Sequence, residues 1–279
     1  MTDQAPERVE VSRNRYGYTI GGTFLRRVTT LCGGIPKDAL PGWAAKSVAE
    51  FAVDHRDVWA ELPKTDAIKL LKGVPWSKRD DAGDRGTAVH RTLESIVRGE
   101  PMPDDLKTED ELECAIAAES FLESWRPLGS EVTVFSRTHG YAGTFDLIAK
   151  DASGVTWILD WKTSKGIYPN MAVQQAAYHH AEWAVIRKQH VGGPNDEKWV
   201  GELVPWGPHR AARLGIVHVT PERATLYPIR ADRVARLWDV FQAGAAVKLW
   251  LLDTDSAFGR TPREPVYDEP TMTLESVGG

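Results

Sequence analysis

The run VTWILDWK, residues 155–162, limits what this chain can fold into more than any other stretch. Its apolar residues read as a buried strand, yet Asp160 interrupts them and Lys162 follows two positions later. An unpartnered charge is costly to bury, so an acid and an amine in such a run need a common reason. On a strand, residues i and i+2 share a face, which points Asp160 and Lys162 one way and Trp161 the other, toward the core. Two further strand candidates precede this one, EVTVFSR and YAGTFDLIAK, and the connections THG and DASG read as turns. Antiparallel pairing of the second and third candidates brings Asp146 beside Asp160.

Two adjacent carboxylates repel each other unless one is protonated or a cation lies between them. Mg²⁺ takes one or two carboxylates together with waters and phosphate oxygens. A protonated lysine is no ligand, but it can steady a phosphoryl oxygen or orient the attacking water. The set therefore points to metal-assisted phosphodiester hydrolysis. Taken alone, Asp160 and Lys162 could equally be a strand end reaching solvent. Further along, NMAVQQAAYHHAEW places Gln174 and Tyr178 four apart on one helical face, and GTAVHRTLE puts His90 on a helix with Glu94 one turn on. Imidazole is a borderline ligand that suits Mn²⁺ better than Mg²⁺.

The rest of the sequence frames this set. The first fifteen residues read as disordered, and YGYTIGGTFLRRVTTL as a hairpin turning at its Gly-Gly. Helical spacing follows in PGWAAKSVAEFAVDHRDVWAEL and in TDAIKLLKGVPW, which should stop near Gly73-Val74-Pro75. SKRDDAGDRG reads as a turn-rich connection, and DELECAIAAESFLESW as a strong helix. After the three strands a helix is expected from about Asn170 to His190. A hairpin, LGIVHVT with ATLYPIR, a closing helix and a loose tail from Thr254 complete the chain. The expected domains are a hairpin and helical annex over 1–80, a core over 81–253 and a tail over 254–279. The expected fold class is α/β, with α+β character, built on a mixed sheet with helices on its faces.

The chain has 279 residues and a net charge of −5, which argues against a uniformly basic nucleic-acid coat but leaves room for a local basic groove. Its two cysteines, Cys32 and Cys114, build neither a disulfide framework nor a four-cysteine iron–sulfur site. The polar N-terminus has no apolar leader, and no run is long enough to span a bilayer. A cytoplasmic protein with no membrane partner is expected. Most of the eleven tryptophans should be core residues rather than base-stacking platforms.

GTAVHRTLE, GTFDLI, ILDWKTSK and QQAAY, in that order, resemble the RecB-type branch of the PD-(D/E)XK nuclease superfamily, and the lead-in VTTLCGGIPKDALPGWAA is similar to its phage-type exonucleases. The resemblance covers about residues 85–182. It implies a restriction-endonuclease-like core and metal ligation by His90, Asp146 and Asp160 with the backbone carbonyl of Trp161. It also implies a catalytic role for Lys162 and supporting roles for Gln174 and Tyr178. Lys165 and Tyr168, just past the strand, become candidate DNA contacts. Mg²⁺ or Mn²⁺ is the implied cofactor. DNA is the implied partner, with a separate recombinase, annealing protein or helicase as the protein partner. The chain departs from the related CRISPR adaptation exonucleases in lacking their four iron–sulfur cysteines. The expected activity is that of an exonuclease on linear DNA in phage recombination or DNA processing. The alternatives are a structure-specific endonuclease, an RNA-processing nuclease, or a non-catalytic DNA-binding protein of the same fold.

Overall fold

A computed structural model describes residues 7–100, 106, 108–191, 197–207 and 213–253, with the backbone alone described at 79–85 and 187. The tail expected to be loose and the Gly-Pro-Asn loop at 192–196 lie outside the described residues. The chain forms two compact units. One holds the residues up to Ile35 and those from Gly86 to Leu252, and the other holds Pro36–Arg85.

The second unit is helical: α2 (Ala39–Asp54), α3 (Arg56–Trp59) and the first part of α4 (Lys64–Arg98). Phe51, Leu70 and Val74 form its core, with Val58, Trp59, Leu62 and Leu71 packed around them. The expected helix end near Pro75 is a correction, since α4 runs through Pro75 and through the charged SKRDDAGDRG to Arg98. Lys, Arg, Asp and Ala are all compatible with a helix, so charge density alone was no stop signal.

Among the described residues the first unit carries ten strands, β1 (Arg8–Arg13), β2 (Gly17–Ile20), β3 (Thr23–Arg27), β4 (Arg126–Ser136), β5 (Tyr141–Lys150), β6 (Thr156–Lys162), β7 (Trp183–His190), β8 (Lys198–Pro205), β9 (Arg213–Val219) and β10 (Ala224–Ile229). Its helices are α1 (Val28–Leu31), the end of α4, α5 (Glu109–Leu122), α6 (Pro169–His179) and α7 (Val234–Leu252). The β2–β3 hairpin turns at Gly21 and Gly22, whose φ of 53° and 79° favour residues without a Cβ. Thr108 and Glu111 close a reciprocal capping box at the start of α5.

Neighbouring strands run β5-β3-β2-β1-β8-β7-β4, and β4 pairs again with β5, so these seven close a ring. β6, β9 and β10 extend from β5 outside it. The restriction-endonuclease-like α/β core with its mixed sheet, expected from the sequence, is overturned by this closure. Three strands that went unread make the difference. β1 lies in the leader taken as disordered, because Val9 and Val11 alternate with charged and polar residues over only six positions. β7 occupies 183–190, where the helix of α6 was expected to continue, and β8 pairs with both β7 and β1. The β9–β10 hairpin and the closing helix α7 stand where they were expected.

Inside the ring an apolar layer packs together, with Val9, Val11, Ile20, Leu25, Phe135, Ala142, Val185 and Leu203 buried. Beside it runs a polar circuit to which every ring strand contributes. Arg13 of β1 and Lys188 of β7 lie over the ring of Trp199 of β8, at 5.9 and 4.9 Å from its centroid. Lys188 Nζ donates to Thr133 Oγ1 of β4 at 3.4 Å, and Thr133 and Thr144 of β5 share a hydroxyl hydrogen bond of 3.1 Å. Tyr18 of β2 bonds Thr144 at 3.1 Å and lies under the guanidinium of Arg27 of β3. Outside the ring, Tyr141, Phe145, Val132 and Val134 pack with α1, α6 and α7, while Leu147, Leu159 and Trp161 pack with α4 and α5.

Candidate active site

The β5–β6 ladder ends at Leu147↔Leu159. Beyond that point β5 joins β3 through Arg26↔Tyr141 and Arg27↔Ala142, whereas β6 stays with β9 as far as Lys162↔His218. The strands fork, and the acids lie at the fork. Asp146 Oδ2 accepts the Trp161 amide at 2.7 Å, replacing the strand partner that the divergence removes. Its other oxygen, Oδ1, is 3.2 Å from His90 Nδ1 of α4. Asp160 is 3% exposed and ion-paired through Oδ2 with Lys162 Nζ.

The two carboxyls are driven apart electrostatically. Burial works to raise Asp146, but His90, Lys162 and the Trp161 amide outweigh it and hold the group below the usual aspartate range. For Asp160, burial dominates over Lys162, and with the Asp146 charge it lifts the carboxyl to about 6. Burial disfavours the charged imidazole of His90, yet the charge and hydrogen bond of Asp146 prevail and raise it to about 9. Lys162 behaves alike: burial opposes its charge, and Asp160 and Asp146 more than restore it. One aspartate is thus a fixed anion, while its neighbour is poised to exchange a proton.

α6 starts at Pro169, a residue suited to a first helical turn. It carries Tyr178, fully buried, with its hydroxyl accepting from Gln174 Nε2 at 2.7 Å. Burial and the charge of Asp160 raise the Tyr178 phenol well above its ordinary range, so it stays protonated. Gly143 lets α6 approach, since a Cβ there would meet the Tyr178 ring at 2.5 Å. His90, Asp146, Asp160, Lys162, Gln174 and Tyr178 are therefore brought together. Trp161 packs into the core and offers its amide, not its carbonyl, to Asp146. Lys165 and Tyr168 are exposed in the connection between β6 and α6. Glu94 is ion-paired with Arg98.

Two residues were not read from the sequence. Glu131 lies between the register pairs Ser130↔Leu147 and Val132↔Phe145, opposite Asp146, with a φ of 49°. Burial, with the charges of Asp146 and Glu94, raises its carboxyl to about 7. Lys188 donates to the Glu131 carbonyl, and burial lowers its amine to about 8 against the pull of Glu131. An acid opening the alternating run EVTVFSR was the available signal for Glu131, the same kind of anomaly as Asp160 in its own strand.

The donor set, two carboxylates and an imidazole, is chemically suited to a hard or borderline divalent cation. His90 and Lys162 here take the carboxylate lone pairs that such a cation would use. Among the described residues no group of three or more His, Cys, Asp or Glu side chains is arranged to hold a metal ion. None of the described helices is long and apolar enough to cross a membrane.

No family model matches the sequence, and no curated protein matches it. Among solved structures, the crystal structure of SSO0001 is similar over 77% of this chain and 73% of that one, at 15% identity and a TM-score of 0.29. At that score nothing about function is drawn from it.

Proposed function

We propose that this chain is a divalent-metal-dependent deoxyribonuclease that hydrolyses phosphodiester bonds and acts on linear DNA from an end. One observation carries the reading: at the strand fork, buried Asp160 and half-buried Asp146, His90 and Lys162 meet, one carboxyl held ionised and the other raised to about 6. The ordered motifs around these residues support the same chemistry. For Asp146, Asp160 and His90 to hold Mg²⁺ or Mn²⁺, their present contacts with one another and with Lys162 must open and His90 must give up its proton. The metal would then supply charge stabilisation to the phosphoryl oxygens and lower the pKa of a bound water.

The chain's own groups divide the remaining work. Lys162 stays an ammonium and donates to a non-bridging phosphate oxygen. The attacking water loses its proton to a neighbouring carboxylate oxygen or to solvent as the new P–O bond forms. The ester P–O bond breaks, and the leaving oxygen takes a proton from solvent or from a neighbouring acid. Tyr178, held by Gln174, donates toward the same charge.

The test is a gel of end-labelled linear single- and double-stranded DNA beside closed circular DNA, each with Mg²⁺, Mn²⁺ or EDTA. Linear DNA should shorten with either metal and closed circles should persist. Rapid nicking or linearisation of circles would replace the exonuclease by an endonuclease, and no cleavage of any substrate with either metal would end the proposal.

A further inference from the structure

The polar circuit inside the ring contains donors that the protein leaves unspent. Arg27 Nε and Trp199 Nε1 are both buried and have no hydrogen-bond partner among the described residues. Leaving a buried donor unpaired is costly, and a guanidinium more so, which makes each such group in a native structure call for a ligand or a water. The two donors belong to one cluster. Glu197 Oε2 is 3.9 Å from Arg27 Nη2, and Glu197 also receives Arg13 Nε and Nη2 at 2.8 and 2.7 Å. Arg13 in turn lies over Trp199, as does Lys188.

Glu197 is engaged bidentately by Arg13 and more loosely by Arg27 Nη2, which leaves Arg27 Nε and Trp199 Nε1 without an acceptor beside the Lys188 amine. Trp199 Nε1 can donate but cannot accept, and the same holds for Arg and Lys nitrogens. A cation has no complement among such groups, and a neutral amide offers them a single carbonyl oxygen. An oxyanion that accepts at several oxygens does, and arginine's planar fork suits phosphate in particular.

We propose that Arg27 and Trp199, beside Arg13 and Lys188, form a seat for a phosphate-class oxyanion inside the mouth of the ring. The seat adjoins the fork, because Thr144 of the circuit stands two residues before Asp146 on β5 and Lys188 donates to the carbonyl of Glu131. A terminal phosphate of a nucleic-acid strand and free inorganic phosphate offer the same chemistry to it. The inference rests on the circuit and its unspent donors, not on the nuclease reading.

Thermal melting of the full chain in EDTA tests it, with inorganic phosphate against chloride at matched ionic strength. Phosphate should raise the wild-type midpoint by roughly 2 to 5 °C, as binding to the folded state alone does. Arg27→Gln should abolish the shift, and Trp199→Phe, which keeps the aromatic ring over which Arg13 and Lys188 lie, should reduce it even if the arginine variant folds poorly. No phosphate-specific shift in wild type, or an equal shift in both variants, overturns the seat. Fluorescence anisotropy in EDTA then separates the sources, using oligonucleotides with and without a terminal phosphate at either end. About tenfold tighter binding of one phosphorylated end, lost in Arg27→Gln, assigns the seat to strand ends. Equal binding with the melting shift retained assigns it to free phosphate. A phosphate shift in a protein that cleaves no DNA would leave the seat standing and remove the nuclease.

Discussion

In the proposed reaction Lys162 and Asp146 do different work at the fork, and single substitutions separate them. Lys162→Ala should lower single-turnover DNA cleavage by about a hundredfold or more while leaving Mn²⁺ binding nearly intact, because an ammonium group is not a ligand. Asp146→Asn and Asp160→Asn should weaken Mn²⁺ binding as well as rate. Calorimetric titration of Mn²⁺ into the three variants checks the assignment, and loss of metal binding in Lys162→Ala alone would reverse it. His90 adds a pH dependence in the metal-free protein. Its folded value of about 9 exceeds the ordinary 6.5 because Asp146 outweighs burial. A raised value means the unfolded chain loses its proton first. The stabilisation is therefore complete below about 6.5 and is lost as pH rises through 9. Urea unfolding of wild type and His90→Gln across pH 6 to 9.5 should show the two curves converging at the alkaline end.

At the scale of elements, the contact between β5 and α6 depends on one missing side chain. Gly143→Ala would drive a methyl into the Tyr178 ring and into Val28. Overpacking of this kind costs about 1–3 kcal/mol, and here it should also lower activity by moving Tyr178 away from Asp160. A variant with normal stability and full activity would show that α6 yields without consequence. Val11→Ala, in the fully buried middle of β1, should destabilise the protein by about 2 kcal/mol in chemical denaturation, which a disordered leader would not. That contrast also marks where the sequence could be read. The β4–β6 run, the β2–β3 and β9–β10 hairpins and α5 were legible because each carries a full pattern bounded by turns. β1 was not, since two valines in six residues form a strand only when β2 and β8 flank them. β7 was hidden because WAVIRKQH directly continues a helical pattern and owes its strand state to β4 and β8. Asp146, Asp160 and Lys162 stood out because charge inside apolar runs is anomalous. Arg13, Arg27 and Trp199 did not, because only ring closure brings these separate segments to one side.

At the scale of the whole molecule, the proposed reaction ties activity to metal through the carboxylates at the fork. Chelation by EDTA should silence cleavage of linear DNA, and Mg²⁺ or Mn²⁺ should restore it, with Mn²⁺ tolerated or preferred given an imidazole beside the carboxylates. Full activity in EDTA would refute the mechanism.

The closed ring also decides when during synthesis this protein can mature. Its first strand is hydrogen-bonded to β8, and the Arg13–Glu197 contact joins residues 184 positions apart. A ribosome must therefore deliver most of the chain before β1 acquires its second neighbour. Until then the β1–β2–β3 meander presents an unpaired edge carrying Val9 and Val11, open to association with other nascent chains. Contacts of such sequence separation slow the search for the native state, because loop closure is costly before pairing repays it. Closing the ring is consequently a late and cooperative event. The fork itself waits on β9, the last-made of the strands that frame it.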